Sequence, residues 1–377
     1  MSSFQKNLLP ATALSLVLGP CLLSASDEAR MRNLENRVCA IETRENCCCT
    51  INPPARPYNP DCWGLYVNVD ALIWQGHIDG YDPVIQTSNS TQLQNNLGVD
   101  GTSRVKNLSF DWDWGVRLGL GFNSTHDAWD FLLQWTYWDS SASTSVTPGE
   151  GEALYPVLNH PFINVNGAYF GSSKTNLDYT LNMLDLENAR EFYVSRCLTL
   201  RPFGGLRTAW FKQELDVKNT GLAPSGLENN GATQVNLDAT VRYWGIGIRA
   251  GLDMQWNWGC GFSFFTNAAH SLLYNYYSTK TKEQSVDASG NKVTILDVAG
   301  FFHTGSSITD LQTGIRWDWM ACDDNYHLGL DIGWEHHMFP GQNRFLNFVD
   351  DGSEGKFVYQ NGNFATQGYF IKVRFDF

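Results

Sequence analysis

Charged side chains recur at every second position of otherwise apolar stretches, and side chains in that pattern could line an aqueous channel. Carboxylates and guanidinium groups together can form a selectivity filter, or they can pair with one another and fill a narrow barrel. Both interpretations stay open at this point. The residues predicted to line the lumen are Asp70, Asp113, Arg117, Asp178, Arg201, Arg207, Asp238, Arg242, Arg249, Asp253, Asp310, Arg316, Asp318, Asp331 and Glu335.

Cysteine is the second residue type that could do chemistry, and the chain has nine. No CxxC pair is matched by a second pair at zinc-finger spacing, and an exported chain meets an oxidising compartment, so disulfides are favoured over zinc. Five candidates precede the first predicted strand and three lie at short links between strands, which places all of them on one side of a membrane. These disulfide candidates, within the chain or to neighbouring subunits, are Cys39, Cys47, Cys48, Cys49, Cys62, Cys197, Cys260 and Cys322; the alternative is isolated thiols.

Two motifs resemble catalytic or cofactor motifs, and both lack the required context. GIGIRAG (245–251) lies inside a predicted strand with no helix after it, so the dinucleotide-binding fingerprint fails. In WEHHMF (334–339), strand alternation puts the adjacent histidines on opposite faces, while His327, Glu335 and His337 share one face and suit a lumen better than a metal site. We therefore expect no enzyme, no cofactor and no metal.

The elements that would position the charged residues are strands, because apolar and polar residues alternate with period two from residue 63 onward. In WGLYVNVDALIW (63–74), Val67 and Val69 face one way while Asn68 and Asp70 face the other. The same rule applied to NLDYTLNML (176–184) puts its leucines and Tyr179 on the lipid face. A soluble sandwich would alternate in the same way.

Three features favour a transmembrane barrel over a sandwich. Trp and Tyr lie near strand ends, the polar faces mix glycine with both charge signs, and the chain ends in the alternating strand GYFIKVRFDF (368–377). A last strand ending in an aromatic residue, here Phe377, is the signal that the barrel-assembly machinery of the outer membrane reads. The predicted fold is all-β, a transmembrane antiparallel up-and-down barrel.

The predicted links alternate between short and long, as periplasmic turns and outer loops do in barrels. Short links are predicted at 123–127, 186–190, 257–259 and 321–325, and long polar links near 75–108, 140–173, 214–232, 276–305 and 339–363. The pattern gives about ten strands, in a range of 10 to 16, because the long links could hide further hairpins.

Two segments precede the barrel. Residues 1–26 combine Lys6, an apolar run and small residues, which predicts a cleaved signal peptide. Residues 27–62 contain the cysteine cluster and a heptad-like stripe formed by Met31, Leu34, Val38 and Ile41, so we expect a short periplasmic helix or coiled coil there. The barrel then occupies residues 63–377.

Composition limits the partners. The formal charge is −13 and no basic cluster is present, which argues against nucleic acid. After the leader, no stretch approaches the ~18 apolar residues of a transmembrane helix. Outer-membrane lipid is the expected surroundings.

Four stretches and the last strand resemble the chlamydial major outer membrane protein-like family and the related Legionella-type pore-forming outer membrane proteins. The stretches are EFYVSRCLTLRPFGGLRTAWF, YWGIGIRAGLDMQWNWGCGFSFFTNAAHSLLY, ITDLQTGIRWDW and LGLDIGWEHHMFPGQNRF, and the matching positions include Cys197, Cys260 and residues 334–337. The resemblance implies an abundant outer-membrane porin, with a homotrimer as one assembly and disulfide links to neighbouring subunits through periplasmic cysteines. The surface loops and Cys47–Cys49 depart from the family pattern.

The sequence therefore predicts an integral protein of a bacterial outer membrane that passes small hydrophilic solutes or ions by passive diffusion. Periplasmic disulfides would add a structural role in the envelope. The alternative is a closed structural or adhesin-like barrel whose loops bind other surfaces.

Overall fold

The computed structural model describes residues 64–87, 103–124, 129–160, 170–195, 197–221, 232–321, 326–348 and 356–376. The long strands in this part are β1 (Gly64–Ile78), β4 (Trp112–Asn123), β5 (Trp129–Val146), β7 (Ser172–Arg190), β9 (Leu198–Thr220), β10 (Ala232–Gly259), β11 (Phe262–Asp287), β12 (Lys292–Ala321), β13 (Tyr326–Asn343) and β16 (Gly362–Asp376). The short strands are β2 (Val84–Thr87), β3 (Arg104–Lys106), β6 (Ala153–Pro156), β8 (Phe192–Tyr193), β14 (Leu346–Phe348) and β15 (Phe357–Tyr359). A helix of the length and hydropathy needed to cross a membrane does not occur among the described residues.

The ten long strands form one closed antiparallel barrel, as predicted. Each pairs with the next long strand in the chain, and β16 pairs with both β13 and β1, which closes the cylinder. Closure satisfies the backbone groups of every strand without leaving an edge, which a lipid environment requires. The remaining small sheets, β3–β2–β6 and β14–β15, come from connections between barrel strands.

The register determines how the strands run around the barrel. Following cross-strand partners once around the cylinder from Tyr276 leads back to β11 at Phe264, a shift of 276 − 264 = 12 residues. A shift of this size over ten strands corresponds to a strand tilt of about 40°. Residues that are level with one another are therefore displaced along neighbouring strands.

An apolar belt covers the outer wall toward the end where β1 begins and β16 ends. Short turns join strands at this end, which makes it the periplasmic end. The belt consists of exposed side chains such as Val67, Val69, Leu118, Leu120, Leu133, Leu186, Leu206, Ile248, Ile332 and Val373. Aromatic side chains border it: Trp112, Trp334 and Tyr369 are in mutual contact on the extracellular side, and Trp129, Trp256, Trp258 and Phe375 lie on the periplasmic side.

Beyond the belt the two faces of the wall exchange character. On β7 the side chains of Leu177, Tyr179, Leu181 and Met183 are buried inside the barrel, and Asp178 is exposed on the outside. The prediction that these apolar side chains face lipid was wrong. The wall projects past the membrane into water here, so its outer face is polar and its interior is packed with apolar side chains.

Two predicted links also proved to be strand. Most of residues 276–305 belongs to β11 and β12, which are joined by a tight turn in which Gly290 has a φ of +85°. Residues 186–190 complete β7, with Glu187 pointing inward. Polar residues on the water-exposed outer face had made the first segment resemble a loop, and interior charge had done so for the second.

Several predictions fall outside the described residues. These are the leader, the helical stripe at 31–41, the cysteines at 39, 47, 48, 49, 62 and 322, and the terminal Phe377.

Candidate functional site in the barrel interior

Most of the charged residues predicted to line the lumen point into the barrel. The structure places Asp70, Asp113, Arg117, Arg201, Arg207, Arg249, Asp253, Asp310, Arg316, Asp318, Asp331 and Glu335 on inward faces of their strands. Asp178, Asp238 and Arg242 lie on the outer face instead, which corrects the prediction for them. All three belong to the wall beyond the belt, where polar side chains face water.

The inward charges meet in a layer across the membrane-spanning part of the barrel, which we call the charged layer. Its members are Asp70, Arg117, Asp185, Glu187, Arg207, Arg249, Asp310, Glu335 and His337, each less than 10% exposed. They come from seven of the ten barrel strands. Several contacts join strands that are not neighbours, so the layer ties opposite walls together.

Asp310 is the centre of one half of the charged layer. Its Oδ2 accepts hydrogen bonds from Arg207 Nη1 at 2.7 Å and from Arg249 Nη1, although β12 is separated from β9 and β10 by other strands. Arg207 also binds both oxygens of Asp185, its direct cross-strand partner, at 2.6 and 2.7 Å. Arg249 reaches Glu187 at 3.1 Å. Each guanidinium thus bridges two carboxylates.

Arg117 organises the other half. It donates to Asp70, its partner on β1, at 3.0 Å and to Glu335 on β13 at 2.9 Å. Glu335 also accepts from the indole of Trp74 at 2.7 Å. His337 lies between the halves, with Nδ1 2.7 Å from Asp310 Oδ1 and Nε2 3.5 Å from Glu335 Oε2.

Sequence reasoning missed some members of this site. Asp185 and Glu187 were overlooked because residues 186–190 resembled a turn, yet their alternation with Leu184 and Leu186 continues the strand pattern. Asp130, which binds Arg201, is the second residue of β5 and was assigned to the region next to a link. His327 lies near the periplasmic end against Asp318 and Asp376, away from the charged layer. The predicted cluster of His327 with Glu335 and His337 therefore does not form.

An aromatic layer lies on the extracellular side of the charged layer. It consists of Trp74, Trp138, Tyr179, Phe211, Tyr243, Tyr277 and Phe364, none more than 4% exposed. The ring of Tyr179 on β7 stacks on Phe364 of β16 across the barrel, with centroids 4.1 Å apart. The stack continues through Phe211 and Tyr243 at 4.0 Å. These rings close the cross-section in this conformation.

A polar chamber lies on the periplasmic side of the charged layer, with a volume of about 120 Å³. A cavity of this size holds about four waters. Arg201 bridges Asp130 and Asp253 in its wall, and Arg316 binds Asp331 through two hydrogen bonds of 2.7 Å. The chamber thus combines both charge signs on a surface that water can wet.

The extracellular mouth contains a buried carboxyl group, Glu283 on β11. Outward side chains of β11 are apolar as far as Tyr274 and include the exposed Lys280 further on, so Glu283 lies outside the membrane-spanning segment. Its oxygens accept hydrogen bonds from Asn159 Nδ2 at 2.6 Å and from the His160 backbone N–H at 2.9 Å. Burial raises the pKa of Glu283 to about 7, and the two hydrogen bonds lower it in part.

The residues that bind Glu283 belong to a mouth segment, residues 157–160, which follows β6. Asn159 also accepts from Asn219 on β9 at 2.8 Å, and the ring of His160 packs on Phe348 with centroids 4.7 Å apart. The mouth segment therefore crosses the extracellular opening and is fastened to several strands.

Two cysteines lie in the described part of the periplasmic end. Cys197 and Cys260 are both exposed and free. Cys260 occupies the two-residue turn between β10 and β11 with a φ of +53°, and the carbonyl of Cys197 accepts from Asn257 at 2.7 Å.

A closed barrel with an apolar outer belt, aromatic borders and a charged interior is an integral outer-membrane protein. Residues 57–377 match the family described as Legionella pneumophila major outer membrane protein precursor, and the chain belongs to this family. The family prediction made from the sequence is confirmed. A search of curated proteins gave no match.

Three solved structures with a similar course of the chain are distant in sequence. The outer membrane protease OmpT of Escherichia coli is 9% identical, with 85% of this chain and 98% of OmpT covered and a TM-score of 0.35. A major outer membrane protein of Thermus thermophilus is 11% identical, with coverage of 84% and 100% and a TM-score of 0.31. A deletion mutant of the monoaromatic hydrocarbon channel TodX is 11% identical, with coverage of 86% and 92% and a TM-score of 0.31.

Proposed function

We propose that this outer-membrane barrel is a porin that passes small hydrophilic solutes by passive diffusion, and that the aromatic layer is its closed gate. The proposal rests on the charged interior. An inert plug can be built from apolar side chains, as the extracellular half of this same barrel shows. Replacing buried ion pairs by apolar side chains is often neutral or stabilising, so stability alone gives no reason to keep a charged layer.

The proposed path has two parts with different chemistry. Solutes would enter the polar chamber from the periplasm and pass the charged layer by exchanging water for carboxylate and guanidinium contacts. The aromatic layer must then move aside, because its rings stack across the lumen. We assign no catalytic step to any residue.

The test is single-channel conductance of the refolded full chain in planar bilayers. Tyr243→Ala removes one ring of the aromatic layer and should raise conductance or open probability severalfold. The matched control is Trp244→Ala on the outer face of the same strand, which should leave conductance unchanged. If neither the native chain nor Tyr243→Ala conducts while both are folded and heat-modifiable, the porin proposal fails.

The second candidate is a closed structural barrel with surface-binding loops, and the complete stacking of the aromatic layer favours it. Disulfides to neighbouring subunits would be central to that role, and a homotrimer is one assembly they could hold. The exposed Cys197 and Cys260 thiols have access to such partners. Non-reducing gels after thiol trapping should show linked species that Cys197→Ser and Cys260→Ser reduce, and a monomer alone would contradict the disulfide role.

A further inference from the structure

The outer wall has a cleft of about 310 Å³ near the periplasmic end of β5, β7 and β9. Its lining includes Trp129, Asn188, Arg190, Phe192 and Gly204. Arg190 pairs directly with Trp129 across β5 and β7, and Asn188 pairs with Gly204 across β7 and β9. Because these positions are consecutive outward positions of one wall, the cleft faces the membrane and not the lumen.

Arg190 lies where a lipid phosphate would be. Trp129 belongs to the aromatic side chains that border the apolar belt on the periplasmic side, and Arg190 is level with it. Aromatic side chains of such borders sit at the depth of the lipid headgroups. Toward the middle of the membrane the neighbouring outward side chains are apolar, including Leu186 and Leu133.

The surroundings of Arg190 hold its guanidinium in one place. Its central carbon lies 5.3 Å from the ring centre of Phe192 and 6.0 Å from that of Trp129. Ring contacts use the faces of a guanidinium, whereas its N–H donors lie at the edge, in the geometry that grips a phosphate through two hydrogen bonds. Glu191, the nearest acid along the chain, lines the interior chamber instead of the cleft.

Gly204 shapes the other end of the cleft. A Cβ atom built there would meet only the Arg249 carbonyl oxygen, at 3.9 Å, so the notch is open toward lipid. Pro202, two residues earlier on the same outward face, extends this shallow apolar surface. A notch of this kind can take an acyl chain or glycerol backbone that begins at Arg190, with the exposed Asn188 amide in reach of an ester.

We propose that this cleft binds one anionic phospholipid of the periplasmic leaflet, with Arg190 holding the phosphate. A second copy of the barrel is the competing occupant. Its outer wall at this depth is apolar and would supply no anion to a guanidinium, which makes it a poor fit. The inference requires only that the barrel spans the membrane, and it is independent of the porin proposal.

Native mass spectrometry of the full chain in detergent with added phosphatidylglycerol tests the site. The native protein should retain one phosphatidylglycerol more strongly than phosphatidylcholine or diacylglycerol. Arg190→Gln should lower its retention about tenfold, the effect of losing a charge-assisted pair. The matched control is Arg242→Gln, which removes the same charge from the outer wall on the extracellular side and should change nothing.

A second pair of variants tests the notch. Gly204→Leu should fill it and lower retention, whereas Gly305→Leu, at an outward glycine with equally open surroundings on β12, should not. Heat-modifiability on gels verifies that each variant is folded. Equal retention by Arg190→Gln and Arg242→Gln, equal retention of diacylglycerol, displacement by millimolar inorganic phosphate alone, or a dimer lost in Gly204→Leu would each overturn the proposal.

Discussion

The mouth segment should come loose from the barrel as pH rises, with Glu283 as the titrating group. The docked segment buries the carboxyl group, which raises its pKa from the ordinary value of 4.5 to about 7. In the undocked state water reaches the carboxyl group and its pKa returns to the ordinary value. Docking is therefore fully supported below pH 4.5, loses support as pH rises toward 7, and changes no further above that pH.

The size of the effect follows from the two pKa values. The difference between 4.5 and about 7 amounts to about 3 kcal/mol at ~1.36 kcal/mol per pH unit, or roughly 300-fold in the docking equilibrium. The hydrogen bonds from Asn159 and His160 to the carboxyl group are included in this value. Most of the change should occur between about pH 5 and 7.5.

Hydrogen exchange at the His160 amide measures docking directly, because this amide donates to Glu283. After correction for the intrinsic exchange rate, its protection should fall by up to that factor between about pH 5 and 8. In Glu283→Gln the protection should be independent of pH. The control is Glu214→Gln, which removes an exposed carboxylate from the outer face of β9 and should keep the native pH dependence.

Two results would refute this reasoning. One is equal protection of the His160 amide at the acidic and the alkaline end of that range in the native chain. The other is a Glu283→Gln variant that keeps the native pH dependence, since another group would then be the one that titrates.

Three further predictions concern folding and stability. Gly205→Ala should prevent barrel formation, measured by heat-modifiability, because its Cβ would lie 1.9 Å from a carbonyl oxygen of β7, whereas Gly204→Ala should fold normally. Asp310→Asn should lower the unfolding free energy in urea by about 3–5 kcal/mol, as expected for a broken buried ion pair, and Asp238→Asn on the outer face should change it by less than about 0.5 kcal/mol. Tyr81→Phe should cost about 1–3 kcal/mol by leaving a buried acceptor unpaired; an unchanged urea midpoint would contradict it.

The sequence predicted the wall of the membrane-spanning part well. On β16, Tyr369, Ile371 and Val373 face outward while Lys372 and Arg374 face inward, as the alternation indicated. The closed barrel and its ten strands also followed from alternation and from the order of short and long links. What alternation cannot give is which charges meet, because contacts such as the one between Arg117 and Glu335 cross the lumen between strands far apart in the chain.

The wrong assignments share one physical cause. Along β9 the inward side chains change from Arg207 to Phe211, while the outward ones change from Leu206 to Glu214. The period of two persists through this change and only the sense of the alternation reverses, because inside-polar suits a wall in lipid and inside-apolar suits a wall in water. Reading the sense of the alternation as constant therefore placed Asp178 inside the barrel. The point of reversal marks the surface of the membrane, and it falls between the charged layer and the aromatic layer. The two layers are thus consequences of one wall passing from lipid into water.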